Sequence, residues 1–209
     1  MYFPLHCHTH FSLLDGLSKP EQIAERIQSL GLSGAAITDH GNISGSVSFV
    51  KAMRKKGLKP ILGCELYISK QCASVRNKEN SKLNHLVVLA KNIDGWRQLI
   101  KITSESNKDE NFYRKPRLSL EQLRKFCDGN LVAFSGHLGS DLAEVVFGEM
   151  ASDAYNAKTY EEAESLVDDN WLENTKSLAL KYQEIFGEGN FFIEIQLIDK
   201  DVTPAQMVV

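Results

Sequence analysis

The stretch Leu5–Gly16, LHCHTHFSLLDG, places three of the chain's six histidines (His6, His8 and His10) within five residues and follows them with Asp15. PLHCH, which opens it, reads as a strand. Side chains alternate along a strand, so the three imidazoles are expected on one side. Neutral imidazoles beside a carboxylate are the donor set of a divalent-metal site.

Working outward, every other histidine also lies on or beside an expected strand. Asp39 and His40 follow GAAIT (Gly34–Thr38), and Glu65 lies inside KPILGCELYI (Lys59–Ile68). His85 opens HLVVLAK, and His137 follows NLVAFSG (Asn130–Gly136). A lone histidine is usually a hydrogen-bonded structural residue. The joint placement is what argues for metal, because loops beyond strand ends gather on one face of parallel α/β folds.

Between the strands the pattern is helical. Ser18-Lys19-Pro20-Glu21 reads as a capping box, with Ile23, Ile27 and Leu30 on one face and Gly31 as the stop. Helices are expected near Ser46–Lys56, near Trp96–Ser106 and after Ser119. A long one is expected from the Thr159 cap to Gly187. NFFIEIQL (Asn190–Leu197) reads as a sixth strand, and the polar stretch Ser69–Lys82 as a mobile loop. Strand–helix alternation of this kind predicts an α/β fold with parallel strands and crossover helices.

The bulk numbers set limits. The chain has 209 residues, 43% hydrophobic and 24% charged, with a net charge of −3. That mild acidity gives no global attraction to nucleic acid, so polyanion binding would need a local patch. Tyr113-Arg114-Lys115-Pro116-Arg117 is such a patch, and Arg117 is its candidate phosphate-binding residue. The four cysteines form no CxxC pair. With no membrane-spanning run and no signal-peptide layout, a reduced, cytoplasmic protein is expected.

Taken together, HCHTHFSLLDG, AITDHGNISG, KPILGCELYI, HLVVLAKN and FGEGNFFIEIQ resemble the motifs of the PHP (polymerase and histidinol phosphatase) family. The resemblance runs from Leu5 to about Leu197 and is nearest to the branch found at the N-terminus of bacterial replicative DNA polymerases. It implies a distorted (β/α) barrel of about seven strands. It also implies two or three divalent ions, zinc, manganese or iron, as imidazole-rich sites accept any of these. The ligands would be His6, His8, Asp15, His40, Glu65, His85 and His137, with Glu65 bridging two ions. His10 would be an extra ligand or a residue supporting the ligands, and Asp39 would orient a neighbour.

The family completes its site with a later Asp-x-His segment that these residues lack. The expectation is therefore one PHP domain, residues 1–209, truncated at its C-terminal end as the N-terminal fragment of a longer polymerase chain. The implied activity is metal-dependent phosphoester hydrolysis, as 3′–5′ proofreading at a DNA primer end. The implied partners are DNA, the rest of the polymerase chain and a separate proofreading subunit. Two alternatives stand beside it. One is a metal-stabilised platform that docks polymerase parts or that subunit without hydrolysing anything. The other is a free-standing small-molecule phosphatase, such as one acting on histidinol phosphate.

Overall fold

The structure is a computed structural model and describes residues 2–196 and 203–209. The elements run α1 (Pro20–Ser29), β1 (Gly34–Ile37), α2 (Ser46–Lys55), β2 (Lys59–Ser69), β3 (Leu83–Ala90) and α3 (Ile93–Ser106). Then come β4 (Phe112–Tyr113), β5 (Lys115–Pro116), β6 (Leu118–Ser119), α4 (Leu120–Arg124) and β7 (Leu131–Phe134). The chain continues with α5 (Asp141–Phe147), α6 (Ala151–Tyr155), α7 (Tyr160–Glu164), α8 (Trp171–Phe186), β8 (Phe191–Phe192) and α9 (Pro204–Val208).

Six strands form one sheet in the order β1-β2-β3-β7-β8, with β6 also on β2, while β4 and β5 pair separately. The α/β class stands, but two expectations do not. The sheet is mixed, and among the described residues it does not close into a barrel of about seven strands. The reason lies between β2 and β3. Their connection holds only a short helical turn, Glu79–Ser81, and no crossover helix, so the strands pair antiparallel.

β2 changes partner halfway along. Its first half lies parallel to β1, from Gly34↔Lys59 to Ile37↔Leu62, and its second half antiparallel to β3, from Gly63↔Leu89 to Ser69↔Leu83. Gly63 sits at the change. A Cβ there would lie 2.4 Å from Leu89 Cδ2 and 2.6 Å from the Val88 carbonyl oxygen, so only glycine permits this approach. One face of the sheet is covered by α3, α4, α5 and α8 through Leu99, Ile102, Leu123, Val146 and Phe186. A second cluster joins α1 and α2 to β1 through Ile27, Ile37, Phe49 and Met53.

Several local expectations shift. α1 starts one residue later than the Ser18 box predicts: Lys19 N–H donates to Gln22 Oε1 (2.8 Å), and Pro20 takes the first helical position. The Ser119 cap is where it was expected, accepting from Gln122 N–H. The long helix expected from Thr159 to Gly187 is two helices, because Asp168 accepts from Asn170 N–H (2.8 Å) and offers the backbone a turn instead. The sixth strand shortens to Phe191–Phe192, and Leu197 lies outside the described residues. PLHCH joins no ladder, although Ala36 and Thr38 donate to the Pro4 and Cys7 carbonyls (2.8 and 2.9 Å). All four cysteines are free. Among the described residues no helix is long and apolar enough to cross a membrane.

Candidate metal centre

Glu65 stands where the two pairings of β2 meet. Its N–H donates to the Asp39 carbonyl (3.2 Å), and its carbonyl accepts from Gly41 N–H (2.9 Å), which sets His40 directly across from it. On the β3 side, Tyr67 opposes His85 and Glu65 opposes Val87. Alternation then sends Glu65, Tyr67 and His85 to one face. His6 and His8 reach that face from the docked N-terminal segment, and His137 reaches it from the loop after β7.

Five imidazoles therefore converge on one fully buried carboxylate. Glu65 Oε2 lies 3.0 Å from His6 Nε2, 2.9 Å from His8 Nε2 and 3.3 Å from His40 Nδ1. Its Oε1 lies 2.7 Å from His85 Nδ1 and 3.2 Å from His137 Nε2. Asp15, half-exposed at the rim, lies 3.5 Å from His8 Nδ1 and 3.6 Å from His40 Nε2. Three overlapping ligand sets result: His6/His8/Glu65, His8/Asp15/His40 and His40/Glu65/His85.

His10 parts from its neighbours. Thr9 donates from its N–H and its hydroxyl to Asp39 (2.6 and 2.8 Å), and its carbonyl accepts from Ser12 N–H (2.9 Å). The chain turns there, so the expectation that three histidines share one side fails. The His10 ring is exposed against Phe11, 4.3 Å between centroids. Asp39, buried, holds Thr9 and through it the turn. Burial raises its pKa despite the Thr9 bonds.

Arg117 is corrected more sharply. It is fully buried, and its guanidinium donates to the carbonyls of Ala73 (2.8 and 3.2 Å), Val75 (2.8 Å) and Asn80 (2.5 Å). It has no face left for phosphate. The same bonds explain why residues 70–82 are a built loop rather than a loose one. Asn80, also buried, accepts from Gln71 N–H (2.9 Å) and donates to the Cys72 and Val75 carbonyls (3.0 and 2.9 Å).

Glu194 and Ser12 were not singled out from the sequence. Glu194 Oε1 lies 2.8 Å from His6 Nδ1, and Ser12 Oγ lies 2.9 Å from His8 Nδ1 while accepting from His40 N–H (2.8 Å). These contacts turn the His6 and His8 Nε2 atoms toward Glu65, as carboxylates and hydroxyls behind metal-binding histidines do. A lone acid in the apolar run FFIEIQ was a signal for Glu194. A serine in a loop gives none.

The titrations follow from packing. Burial opposes charge on His6, but the bonds to Glu194 and Glu65 outweigh it and raise its pKa to about 9. Burial lowers His40 to about 4, so its ring is neutral near pH 7. Burial would raise Glu65, yet hydrogen bonds from His137, His6, His8 and His85 hold it far below the usual carboxylate range.

The donor set fits divalent cations. His40 Nδ1 and Glu194 Oε2 are buried without a hydrogen-bond partner. His6 Nε2 and His8 Nε2 face each other at 3.1 Å beside the carboxylate. A neutral His6 that donates through Nδ1 to Glu194 turns a lone pair into this cluster, an arrangement that a cation satisfies. The ring must lose its proton to bind one. Metal affinity is thus expected to rise with pH and to level off only above about pH 9, where most His6 rings have lost the proton. In Glu194→Gln, compared at pH 10 where the His6 ring is neutral in both proteins, the affinity is expected to fall about 10- to 100-fold because the ring loses its orienting partner. Calorimetry at pH 7.5, in buffers of differing ionisation enthalpy, is expected to register fewer protons released on zinc binding than in wild type.

Comparisons with known proteins bear on the family of the chain. The PHP domain family model matches residues 4–197. A DNA polymerase III subunit alpha from Helicobacter pylori (strain J99) is 36% identical over 191 residues, covering 91% of this chain and 14% of that protein. The Borreliella burgdorferi subunit alpha is 31% identical over 212 residues, 99% of this chain and 16% of its own. The Treponema pallidum one is 33% identical over 194 residues, 92% of this chain and 15% of its own. Among solved structures, a candidate metal-dependent phosphoesterase from Bifidobacterium adolescentis overlays 92% of this chain and 76% of its own, with a TM-score of 0.49 at 16% identity. This chain spans 14–16% of the length of those polymerase subunits. On its matched motifs and its relatives, the chain belongs to the PHP family and is homologous to the N-terminal PHP domain of DNA polymerase III alpha subunits.

Proposed function

We propose that this chain is the metal-dependent phosphoesterase domain of a longer cytoplasmic replicative polymerase and acts at the 3′ end of a DNA primer. The observation that carries the reading is the division of Glu65 between its two oxygens, one facing His6, His8 and His40, the other His85 and His137. A carboxylate so placed could be shared between ions held by the two groups of imidazoles. His6, His8, Asp15, His40, Glu65, His85 and His137 would hold two or three ions, zinc, manganese or iron. When bound, such ions supply Lewis acidity toward phosphoryl oxygens and a water acidic enough to ionise near neutral pH.

The chain's own residues do the rest. His40 stays neutral and keeps its lone pair available. Glu194 and Ser12 hold the rings of His6 and His8 in place. Asp15, exposed at the rim, lies where the cluster meets solvent, the side from which a substrate would enter.

The test is a nuclease assay on a 3′-mismatched primer, comparing wild type with the His8→Ala/Glu65→Ala double variant. Release of the terminal nucleotide by wild type, abolished in the variant, is the expected result. Undiminished release by the variant would sink the reading. Ion-loaded wild type that cleaves neither primer nor small phosphomonoester would favour a metal-stabilised docking platform for polymerase parts or a proofreading subunit. Faster turnover of the small ester would favour a free-standing phosphatase.

A further inference from the structure

The basic stretch Tyr113–Arg117 divides on folding. Arg117 turns inward to the loop carbonyls, whereas Lys115 stays exposed beside the metal centre. β4 and β5 pair Tyr113 with Lys115 around a single residue, Arg114, held at φ 63°. A non-glycine residue in this left-handed region is an outlier of the kind that clusters at functional sites.

The hairpin is seated against the residue that follows His40. Gly41 has φ 62°, and a Cβ there would lie 2.7 Å from Pro116 Cγ and 3.1 Å from Tyr67 Cε2. Only glycine lets the hairpin close on this spot. Lys115 Nζ then lies 3.1 Å from the Tyr67 hydroxyl oxygen and 4.3 Å from the Tyr67 ring centroid. The same ring stacks on His40 at 5.5 Å and meets His85 edge-on at 5.1 Å. One aromatic therefore touches both the cation and two members of the metal cluster. The lysine ion pairs among the described residues engage Lys70, Lys82, Lys108 and Lys176, leaving Lys115 with no carboxylate.

We infer that Lys115, clamped on Tyr67 by the Tyr113–Pro116 hairpin, is the positioning cation that holds a non-bridging phosphoryl oxygen of a substrate at the metal centre. The tyrosine fixes its ammonium within one side chain of His40 and His85, and the absent carboxylate leaves its charge for an anion. The inference rests on the phosphoesterase reading for its substrate, but not for its binding test.

That test is calorimetric titration of inorganic phosphate into the metal-loaded protein, for wild type, Lys115→Gln, Lys115→Arg and, as a charge control on α8, Lys176→Gln. Lys115→Gln is expected to weaken phosphate binding about tenfold with metal content unchanged, as loss of one charge at short range does. Lys115→Arg is expected to keep most of the affinity, and Lys176→Gln all of it. Equal binding by wild type and Lys115→Gln would overturn the assignment, as would no phosphate binding by metal-loaded wild type. Lys115-dependent binding in a protein that hydrolyses no phosphoester would keep the phosphate site and reject the phosphoesterase reading.

Discussion

Glu65→Ala is expected to empty the metal centre and to lower phosphoester hydrolysis about a thousandfold or more. All three ligand sets overlap through Glu65 or through histidines that face it. No neighbouring acid can substitute: Asp15 lies at the rim, Asp39 is committed to Thr9, and Glu194 to the far nitrogen of His6. Removing a single supporting group costs about 10- to 100-fold in metal affinity, so removing the shared ligand should cost more. The metal-free fold should suffer as well. Taking one partner from a buried charge cluster typically costs about 3–5 kcal/mol. Elemental analysis and urea unfolding check both halves. Glu65→Gln separates shape from charge, since it keeps the volume and the hydrogen-bonding oxygen but loses the anion; its ion content is expected to be as low as that of the alanine variant. A Glu65→Ala protein that retains two ions per chain would show that Glu65 does not bridge.

Arg117→Met carries the second large effect, and it falls on stability instead of chemistry. The variant leaves the carbonyls of Ala73 and Asn80 without a donor inside the fold, and leaves that of Val75 with Asn80 Nδ2 alone. Each of the two orphaned buried acceptors costs about 1–3 kcal/mol, and the weakened bonding at Val75 adds to them. About 3–5 kcal/mol overall is expected, a large part of the roughly 5–15 kcal/mol that holds a domain together. Lysine should not rescue it, because a single ammonium cannot reproduce the planar fork that reaches three carbonyls. The midpoint of urea unfolding measures the loss, and proteolysis within residues 70–82 should follow it. Metal content of the folded fraction is expected to stay close to wild type, since no member of the cluster touches Arg117. A loss below about 1 kcal/mol would mean that the loop finds other donors.

The two effects mark where reading the chain succeeds and where it stops. Residue types and strand edges were legible. A histidine pair before Asp15, His40 after a buried strand, Glu65 in an apolar run and the cap at Ser119 are local signals, because periodicity and capping depend on near neighbours. The α/β class was legible for the same reason.

Other features depended on contacts distant in sequence. Strand direction turned on whether residues 70–82 held a crossover helix, and their polar composition looks alike in a free loop and in one folded around a buried guanidinium. Arg117 and Lys115 sit two positions apart in one basic stretch, yet one became a core residue and the other a surface cation, since only the packed loop supplies the three carbonyls that make burial of Arg117 tolerable. His10 left the cluster because Asp39, thirty residues away from Thr9, turns the chain there. Composition and periodicity thus specify the elements and the chemistry available to them. Partner, register and burial belong to the tertiary structure, because hydrogen bonds and charges are satisfied by groups that no short stretch contains.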